Sequence, residues 1–128
     1  MLTEQRLVEY ALTFPDVYRD MPFHDDTVYL RCRGNKKGFC MLLHRAGRLY
    51  VNLKCSPQEA EFYRRVYRDV VPGWHMNKTH WNTVFLNGDV PEEEVLRMLR
   101  SAHALVAPRR RKREGEAAKS CQKAENQV

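Results

Sequence analysis

Three short strand-like segments, two of them with apolar side chains at every second position, constrain the fold of this chain most strongly. They span residues 28–33, 39–44 and 49–54. This alternation is typical of a β-strand with one buried face, because successive side chains of a strand point to opposite sides. The middle segment is almost continuously apolar, which favours a central place in the sheet. The inward positions of the other two segments are Val28, Leu30, Cys32, Leu49, Val51 and Leu53.

The connections between these segments are short and contain glycine. The first is GNKKG, at residues 34–38, and the second is RAG, at residues 45–47. Connections of this length join neighbouring antiparallel strands as hairpins. A fourth strand is predicted at 83–86, where an apolar run precedes an Asn-Gly turn at 87–88. The pattern therefore predicts an antiparallel sheet.

The sequence also predicts three helices, at residues 3–13, 57–68 and 91–106. Thr3 is suited to cap the first helix, and Ser56, with a glutamate three positions later, is suited to begin the second. In the third, apolar residues recur at intervals of three and four, which places them on one side of a helix. We therefore predict an α+β fold, a twisted antiparallel sheet with the helices packed on one face.

The basic excess of the chain is concentrated near its end. Residues 1–107 hold 15 Lys and Arg against 13 Asp and Glu, and residues 108–128 hold 7 against 3. The last segment has almost no large apolar side chain, and such a segment cannot bury enough surface to offset the entropy lost on ordering. We predict one domain at 1–107, followed by a disordered basic tail at 108–128.

The four cysteines, Cys32, Cys40, Cys55 and Cys121, do not have the spacing of metal ligands. None belongs to a C-x-x-C pair, and we predict buried free thiols, no metal site and no cofactor. The sequence has no apolar run long enough to cross a membrane, and its first residues, MLTEQRLVEY, lack the apolar segment of a signal peptide. We therefore expect a cytoplasmic monomer without membrane contact.

Residues 72–86, PGWHMNKTHWNTVFL, hold both tryptophans and a dense set of side chains that form hydrogen bonds. We predict a loop over 72–80 that leads into the fourth strand. Two hypotheses stay open, a ligand site and a structural polar corner that ties the loop to the sheet. The structural hypothesis predicts that at least one of the two imidazoles is buried and hydrogen-bonded. The residues of this polar corner are His75, Asn77, Lys78, His80, Trp81, Asn82 and Thr83.

The run PGWHMNKTHWNTVFLNGDVPEEEV, at residues 72–95, resembles the signature of the MmcQ/YjbR family of small bacterial proteins. Upstream pieces match in the same order, namely a short helix before Pro15, DMPF at 20–23 and LKCSP at 53–57. The resemblance implies a twisted antiparallel sheet with flanking helices, likened to frataxin-type and secretion-chaperone folds. It also implies DNA binding through a double-wing arrangement of hairpins, without an established reaction.

Basic residues gather on the two predicted hairpins, at Arg31, Arg33, Lys36, Lys37, Arg45 and Arg48. Two hairpins with basic tips could straddle a duplex and contact its phosphates. Stacking on bases would be added, where the rings are exposed, by Tyr29, Tyr50, Trp74 and Trp81. Because residues 1–107 have a small net charge, we predict weak, salt-sensitive and largely sequence-independent binding to duplex DNA.

Two other functions are compatible with the sequence. By analogy with secretion-chaperone folds, the outer face of the sheet, with Tyr29 and Tyr50, would serve a protein partner. An enzyme is the weaker alternative, because His75 and His80 offer a general base while the nearest hydroxyl groups have no acidic partner in the motif. The sequence also has no phosphate-binding glycine loop and no dinucleotide motif. We therefore predict a protein without catalytic activity.

Overall fold

The structure, a computed structural model, describes residues 1–23 and 25–108. Within them the chain forms three helices and six strands, and the strands share one sheet. The helices are α1 (Glu4–Ala11), α2 (Pro57–Val66) and α3 (Glu92–Val106). The strands are β1 (Val17–Asp20), β2 (Val28–Cys32), β3 (Gly38–Arg45), β4 (Arg48–Lys54), β5 (Val70–Pro72) and β6 (Trp81–Phe85). The predicted disorder of the tail concerns residues that, apart from Pro108, lie outside the described part of the chain.

The sheet is antiparallel throughout, in the order β1-β2-β3-β4-β6-β5. The three strand-like segments form its centre as β2, β3 and β4, which confirms the predicted α+β fold. The sequence did not predict the edge strands β1 and β5, which have four and three residues. Strands this short show too little alternation to be recognised. Strand β5 also contains Pro72, and proline is tolerated in edge strands because it cannot donate a hydrogen bond to the sheet. Strand β6 begins at Trp81 rather than at 83, because Trp81 already pairs with Lys54.

The pairing register separates the side chains of the sheet onto two faces. On one face, which we call the helical face, Leu42, Val51 and Val84 are cross-strand neighbours and are buried. Apolar residues of α1 and α3, such as Leu7 and Leu99, belong to the same core. Helix α2 is tied to this face by a hydrogen bond from the Asn82 amide to its first turns. Each large side chain buried here stabilises the fold by about 2 kcal/mol.

The opposite face, which we call the open face, carries no helix within the described residues. Met41, Asn52 and Thr83 are cross-strand neighbours on it and define its centre. The side chains that β2, β3, β4 and β6 contribute to it are Tyr29, Arg31, Met41, Leu43, Arg45, Arg48, Tyr50, Asn52, Lys54, Trp81, Thr83 and Phe85.

The starts of the first two helices are as predicted, and their ends come earlier. The hydroxyl groups of Thr3 and Ser56 each accept a backbone N–H of the following turn, which confirms both caps. Helix α1 ends at Ala11 rather than at 13. Helix α2 ends at Val66 rather than at 68, because Tyr67 is already extended and leads towards β5. Within residues 1–23 and 25–108 no helix is long and apolar enough to cross a membrane.

The three cysteines of the described residues, Cys32, Cys40 and Cys55, are free and buried, as predicted. Burial raises the pKa of the Cys40 thiol far above its usual value. Burial also raises the pKa of Cys55 to about 11, against smaller opposing effects from neighbouring cations. At neutral pH these thiols stay protonated, and a protonated thiol is a poor nucleophile and a poor metal ligand.

Candidate nucleic-acid interface

Cationic side chains on the open face lie over aromatic rings. In four such pairs the guanidinium carbon or ammonium nitrogen lies 4.9 to 5.4 Å from the centroid of the ring, within the range of an attractive cation–π contact. The pairs are Arg31 on Tyr29, Arg45 on Trp74, Arg48 on Phe85 and Lys54 on Trp81.

An aromatic ring beneath a cation restricts the cationic side chain and leaves its outer N–H groups free for a ligand. Each exposed pair stabilises the fold by only about 0.5–1 kcal/mol. A guanidinium that is already held in place, however, loses less freedom when it binds a phosphate. At one pair, burial raises the pKa of the Tyr29 hydroxyl against a smaller lowering by Arg31, so that the phenol stays neutral beneath its cation. The open face therefore presents preorganised cations.

Charge is segregated between the centre of the sheet and the helices. Residues 28–54, which form β2, β3, β4 and their two turns, contain seven Lys and Arg and no Asp or Glu. The three helices contain seven Glu against five Arg. The small net charge of residues 1–107 thus hides a basic surface on one side of the molecule. Attraction of an anionic polymer depends on this local charge more than on the total.

Two of the seven cations are partly neutralised by carboxylates from outside the segment. The guanidinium of Arg31 lies 2.8 Å from the Asp20 carboxylate, and that of Arg48 lies 3.5 Å from the Asp69 carboxylate. The other five have no ion pair within the described residues, and they are Arg33, Lys36, Lys37, Arg45 and Lys54.

The structure places the six predicted DNA-contacting residues in two groups rather than one. Arg45 and Arg48 are a cross-strand pair at the β3–β4 turn. Arg31, Arg33 and the two lysines lie at the β2–β3 turn, at the other end of β3. Since β3 has eight residues, the two groups are roughly 25 Å apart. Lys54, which the sequence analysis did not name as a DNA contact, adds a cation beside the second group. Its alternation with Asn52 and Tyr50 was the signal that it lies on the outer face of the sheet.

The exposure that base stacking would require is absent at two of the four aromatic rings named from the sequence. Tyr50 and Trp81 are only 6% and 7% exposed. The ring of Tyr50 is covered by that of Trp74, at 5.2 Å between centroids. The cause is the loop after β5, which crosses the open face and lays Trp74 on Tyr50 and Phe85. The sequence predicted this loop but not the face that it covers.

The centre of the polar corner is a buried network of hydrogen bonds between loop and sheet. The Thr83 hydroxyl donates to Oδ1 of Asn52 at 2.6 Å and accepts the backbone N–H of Trp74 at 2.8 Å. The Asn52 amide in turn donates to the carbonyl of Trp74 at 3.2 Å. Asn52 was missed by the sequence analysis because it stands at an outward position of its strand, where a polar side chain is expected to face solvent. These bonds fix the loop on the open face.

Arg64 of α2 is the second residue that the sequence analysis missed. It donates to Oδ1 of Asn82 at 2.6 Å, to the carbonyl of Trp81 at 3.2 Å and to the carbonyl of Lys78. The Asn82 amide donates to the carbonyl of Ala60 in α2 at 3.2 Å. No sequence pattern links an exposed-looking arginine on a helix to a motif 14 to 18 residues later.

The two ends of the loop are closed by its own side chains. The Lys78 ammonium donates to the carbonyl of Gly73 at 2.9 Å, and Oδ1 of Asn77 accepts the backbone N–H of Thr79 at 2.9 Å. Four side chains of the polar corner, those of Asn77, Lys78, Asn82 and Thr83, thus form hydrogen bonds within the protein, but the structural hypothesis also required a buried imidazole.

The prediction that His75 or His80 is buried is wrong. Both side chains are exposed, and neither imidazole has a hydrogen-bond partner among the described residues. The physical reason is that amide, hydroxyl and guanidinium groups already satisfy the buried backbone of the loop. His75 has a φ of 61°, which is uncommon for a residue with a side chain. Within residues 1–23 and 25–108, no group of three His, Cys, Asp or Glu is placed to hold a metal ion.

The fold and the open face define a class of small α+β protein with a six-stranded antiparallel sheet, three helices on one face and a basic, aromatic surface on the other. The family model of YjbR matches residues 12–105. The chain belongs to the YjbR family, as the motif at 72–95 indicated.

Similar proteins and solved structures agree with this assignment. YjbR of Escherichia coli (strain K12), described as uncharacterized, is 32% identical over 94 residues, which cover 73% of this chain and 78% of that protein. The uncharacterized protein YbdF of Escherichia coli O157:H7 is 29% identical over 96 residues, covering 75% and 77%. A Deinococcus radiodurans protein with a DUF419 domain has a crystal structure with a TM-score of 0.77 at 27% identity, covering 91% of this chain and 86% of that one. A Pseudomonas syringae crystal structure has a TM-score of 0.73 at 25% identity, covering 82% and 99%.

Proposed function

We propose that this protein binds duplex DNA in the cytoplasm through phosphate contacts of the open face, without sequence preference and without catalysing a reaction. The observation that carries the proposal is the charge of residues 28–54, which hold seven cations and no carboxylate, four of the cations on the open face and three in the β2–β3 turn at its end. Four of these cations are seated on aromatic rings. Phosphate neutralisation by such cations releases counterions and gives binding that depends on salt.

Phosphates fit this surface better than bases do. Guanidinium and ammonium ions lie over the rings of the open face, and the rings of Trp81, beneath Lys54, and Tyr50, beside Trp74, are buried. Base readout needs side chains that reach base edges or rings that stack on exposed bases. Binding through the backbone alone carries no sequence information.

We expect the two basic groups to contact one duplex at separated points. They lie at opposite ends of β3, roughly 25 Å apart by the rise of its eight residues. Contacts made by one rigid sheet act together, because the second contact forms at high effective concentration. Each group alone is small, and we expect both to be needed for measurable affinity.

An acidic protein is the competing ligand for the same cations. The adaptor hypothesis depended on Tyr29 and Tyr50 as contact residues, and Tyr50 is buried beneath Trp74. The adaptor hypothesis thus loses one of its two contact residues. A protein ligand becomes the better explanation if the test below shows no DNA binding.

The test compares two charge-neutralised variants of the full chain. Arg45→Gln with Arg48→Gln removes two cations of the open face. Arg65→Gln with Arg97→Gln removes two cations from helix exteriors, where the side chains are 77% and 62% exposed. Affinity for a fluorescent duplex is measured by anisotropy over a series of salt concentrations. We expect the first variant to lower the slope of log affinity against log salt by about 0.9 per lost phosphate contact, and the second to leave the slope unchanged.

Equal effects of the two variants would mean that only net charge matters, which would contradict a defined interface. A chain that ends at Ala107 separates the basic tail from the domain. We expect it to bind at low salt with a shallower slope. If it binds no DNA at all, the tail alone is responsible and the open face is not the interface.

A further inference from the structure

A groove lies at one end of the open face, between the β2–β3 turn and the C-terminal end of α3. Its volume is about 390 Å³, which is within the range of small-ligand sites, roughly 300–1,000 Å³. Three lysines line it together with two aromatic rings and an exposed leucine: Lys36, Lys37, Lys54, Tyr29, Trp81 and Leu105. We call it the lysine groove.

The lining of the lysine groove selects an anion. It contains three cations and no carboxylate, and none of the three lysines has an ion pair within the described residues. Two carboxylates near the β2–β3 turn are engaged elsewhere, since that of Asp20 pairs with Arg31 at 2.8 Å and that of Asp16 accepts the backbone N–H of Gly34 at 3.0 Å. A ligand with one or two negative charges would therefore meet a net positive charge in the groove.

The turn that carries two of the lysines is held rigidly. The backbone N–H of Cys32 donates to the carbonyl of Lys37 at 2.9 Å, and that of Lys36 donates back to Cys32 at 2.8 Å. Nε of Arg31 also donates to the carbonyl of Lys36, at 2.9 Å. Lys36 has a φ of 61°, a conformation that costs free energy for any residue with a Cβ and that accumulates at functional sites.

The turn is also tied to the opposite wall of the groove. The Asn35 side chain donates to the carbonyl of Val106, near the end of α3, at 2.8 Å. This bond fixes the distance between the lysines and the apolar wall that includes Leu105. The groove is thus set by the fold rather than by a loose surface loop.

Two aromatic rings line the groove, of which Tyr29 is half-buried and Trp81 is 7% exposed. The ring of Tyr29 lies against Gly38 so closely that a Cβ at this position would be 2.0 Å from it. The ammonium group of Lys54 lies 5.4 Å from the centre of the Trp81 ring. On the α3 side, the groove is lined by Leu105, which is 48% exposed. A ligand that covers Tyr29 and Leu105 needs a flat or apolar part beside its charge.

We propose that the lysine groove binds a nucleoside phosphate, with the phosphate on the three lysines and the nucleoside against Tyr29 and Leu105. If the ligand is the terminal phosphate of a DNA strand, this inference rests on the proposed DNA binding. A free mononucleotide has the same chemistry and is the other source. A terminal phosphate carries nearly two charges and suits three lysines better than an internal phosphodiester, which carries one.

The first experiment uses the full chain and three probes: a deoxynucleoside 5′-monophosphate, the matching nucleoside and inorganic phosphate. Affinities are measured by calorimetric titration. We expect the monophosphate to bind more tightly than either of its parts. Lys36→Asn with Lys37→Gln changes two exposed side chains, and asparagine tolerates the φ of position 36. This variant should lower the affinity for the monophosphate about tenfold, as loss of a charged hydrogen bond does.

Two further variants keep the result interpretable. Lys54→Gln tests the third lysine and should also weaken monophosphate binding. Arg45→Gln with Arg48→Gln removes two cations at the other end of β3 and should leave monophosphate binding unchanged. If this control lowers the affinity as much as the lysine variants do, binding is diffuse and the proposed groove is wrong.

The second experiment distinguishes the source of the phosphate. A duplex with 5′-phosphate ends is compared with the same duplex without them. Preferred binding of the phosphorylated duplex assigns the groove to strand ends. Equal binding of both, together with tight monophosphate binding, assigns it to a free nucleotide. If the duplexes bind equally and the monophosphate binds no better than inorganic phosphate, the inference is overturned. DNA binding that still depends on Arg45 and Arg48 would in that case leave the proposed function standing.

Discussion

The polar corner and the centre of the sheet differ in where their polar groups point. In the polar corner, Thr83, Asn82 and Lys78 form hydrogen bonds within the protein. In residues 28–54, five of seven cations have no ion pair within the described residues. The corner has the more distinctive sequence, yet its groups are already satisfied. A dense polar motif here serves the fold, whereas plain arginines and lysines of the sheet and its turns form the surface that we propose binds DNA.

The largest effect that would test this contrast is expected from Thr83→Val, which removes the central hydroxyl of the corner at nearly constant volume. Oδ1 of Asn52 and the N–H of Trp74 then lose their partner while buried or half-buried. We expect the free energy of unfolding to fall by about 2–3 kcal/mol, measured by urea denaturation. Thr79→Val, at an exposed position of the same loop, should change it by less than about 0.5 kcal/mol. A similar small effect of Thr83→Val would show that the corner is not structural.

A second, somewhat smaller effect is expected on the open face from Gly38→Ala. The added Cβ would be 2.0 Å from the Tyr29 ring, so the ring and the Arg31 guanidinium above it must move. We expect a loss of about 1–2 kcal/mol of stability together with weaker DNA binding. In a Tyr29→Ala background the same substitution should cost clearly less stability. If Gly38→Ala costs the same stability in both backgrounds, the loss does not come from a clash between the added Cβ and the Tyr29 ring.

The fold could be predicted from the sequence to a larger extent than the interface. Alternation and helix caps are local signals, and they located β2, β3, β4 and the helix starts at Thr3 and Ser56. The edge strands were missed because three or four residues show no period. The bonds of Asn52 and Arg64 were missed because they join segments distant in sequence. The burial of Tyr50 beneath Trp74 could not be predicted, because no local sequence pattern specifies the path of the loop that carries Trp74.

The smallest effect is expected from His75→Ala with His80→Ala, the two residues that make the motif look like an active site. Both imidazoles are exposed and without hydrogen-bond partners in the described part of the chain. We expect unfolding free energy to change by less than about 0.5 kcal/mol for each substitution and duplex affinity to stay the same. A large fall in duplex affinity without a change in stability would show that the loop with His75 and His80 binds DNA, and would contradict a purely structural role of the polar corner.

The most direct test of the central claim is an NMR titration of the full chain with a short duplex, in which amide and indole signals report the contacted surface. The account predicts shifts concentrated in residues 28–54, with the Trp74 and Trp81 indole signals moving because both rings lie beneath cations of the open face. Signals of α1 and of the exposed side of α2 should stay in place. Shifts confined to the loop with His75 and His80, or to the helices, would contradict the claim that the open face binds DNA.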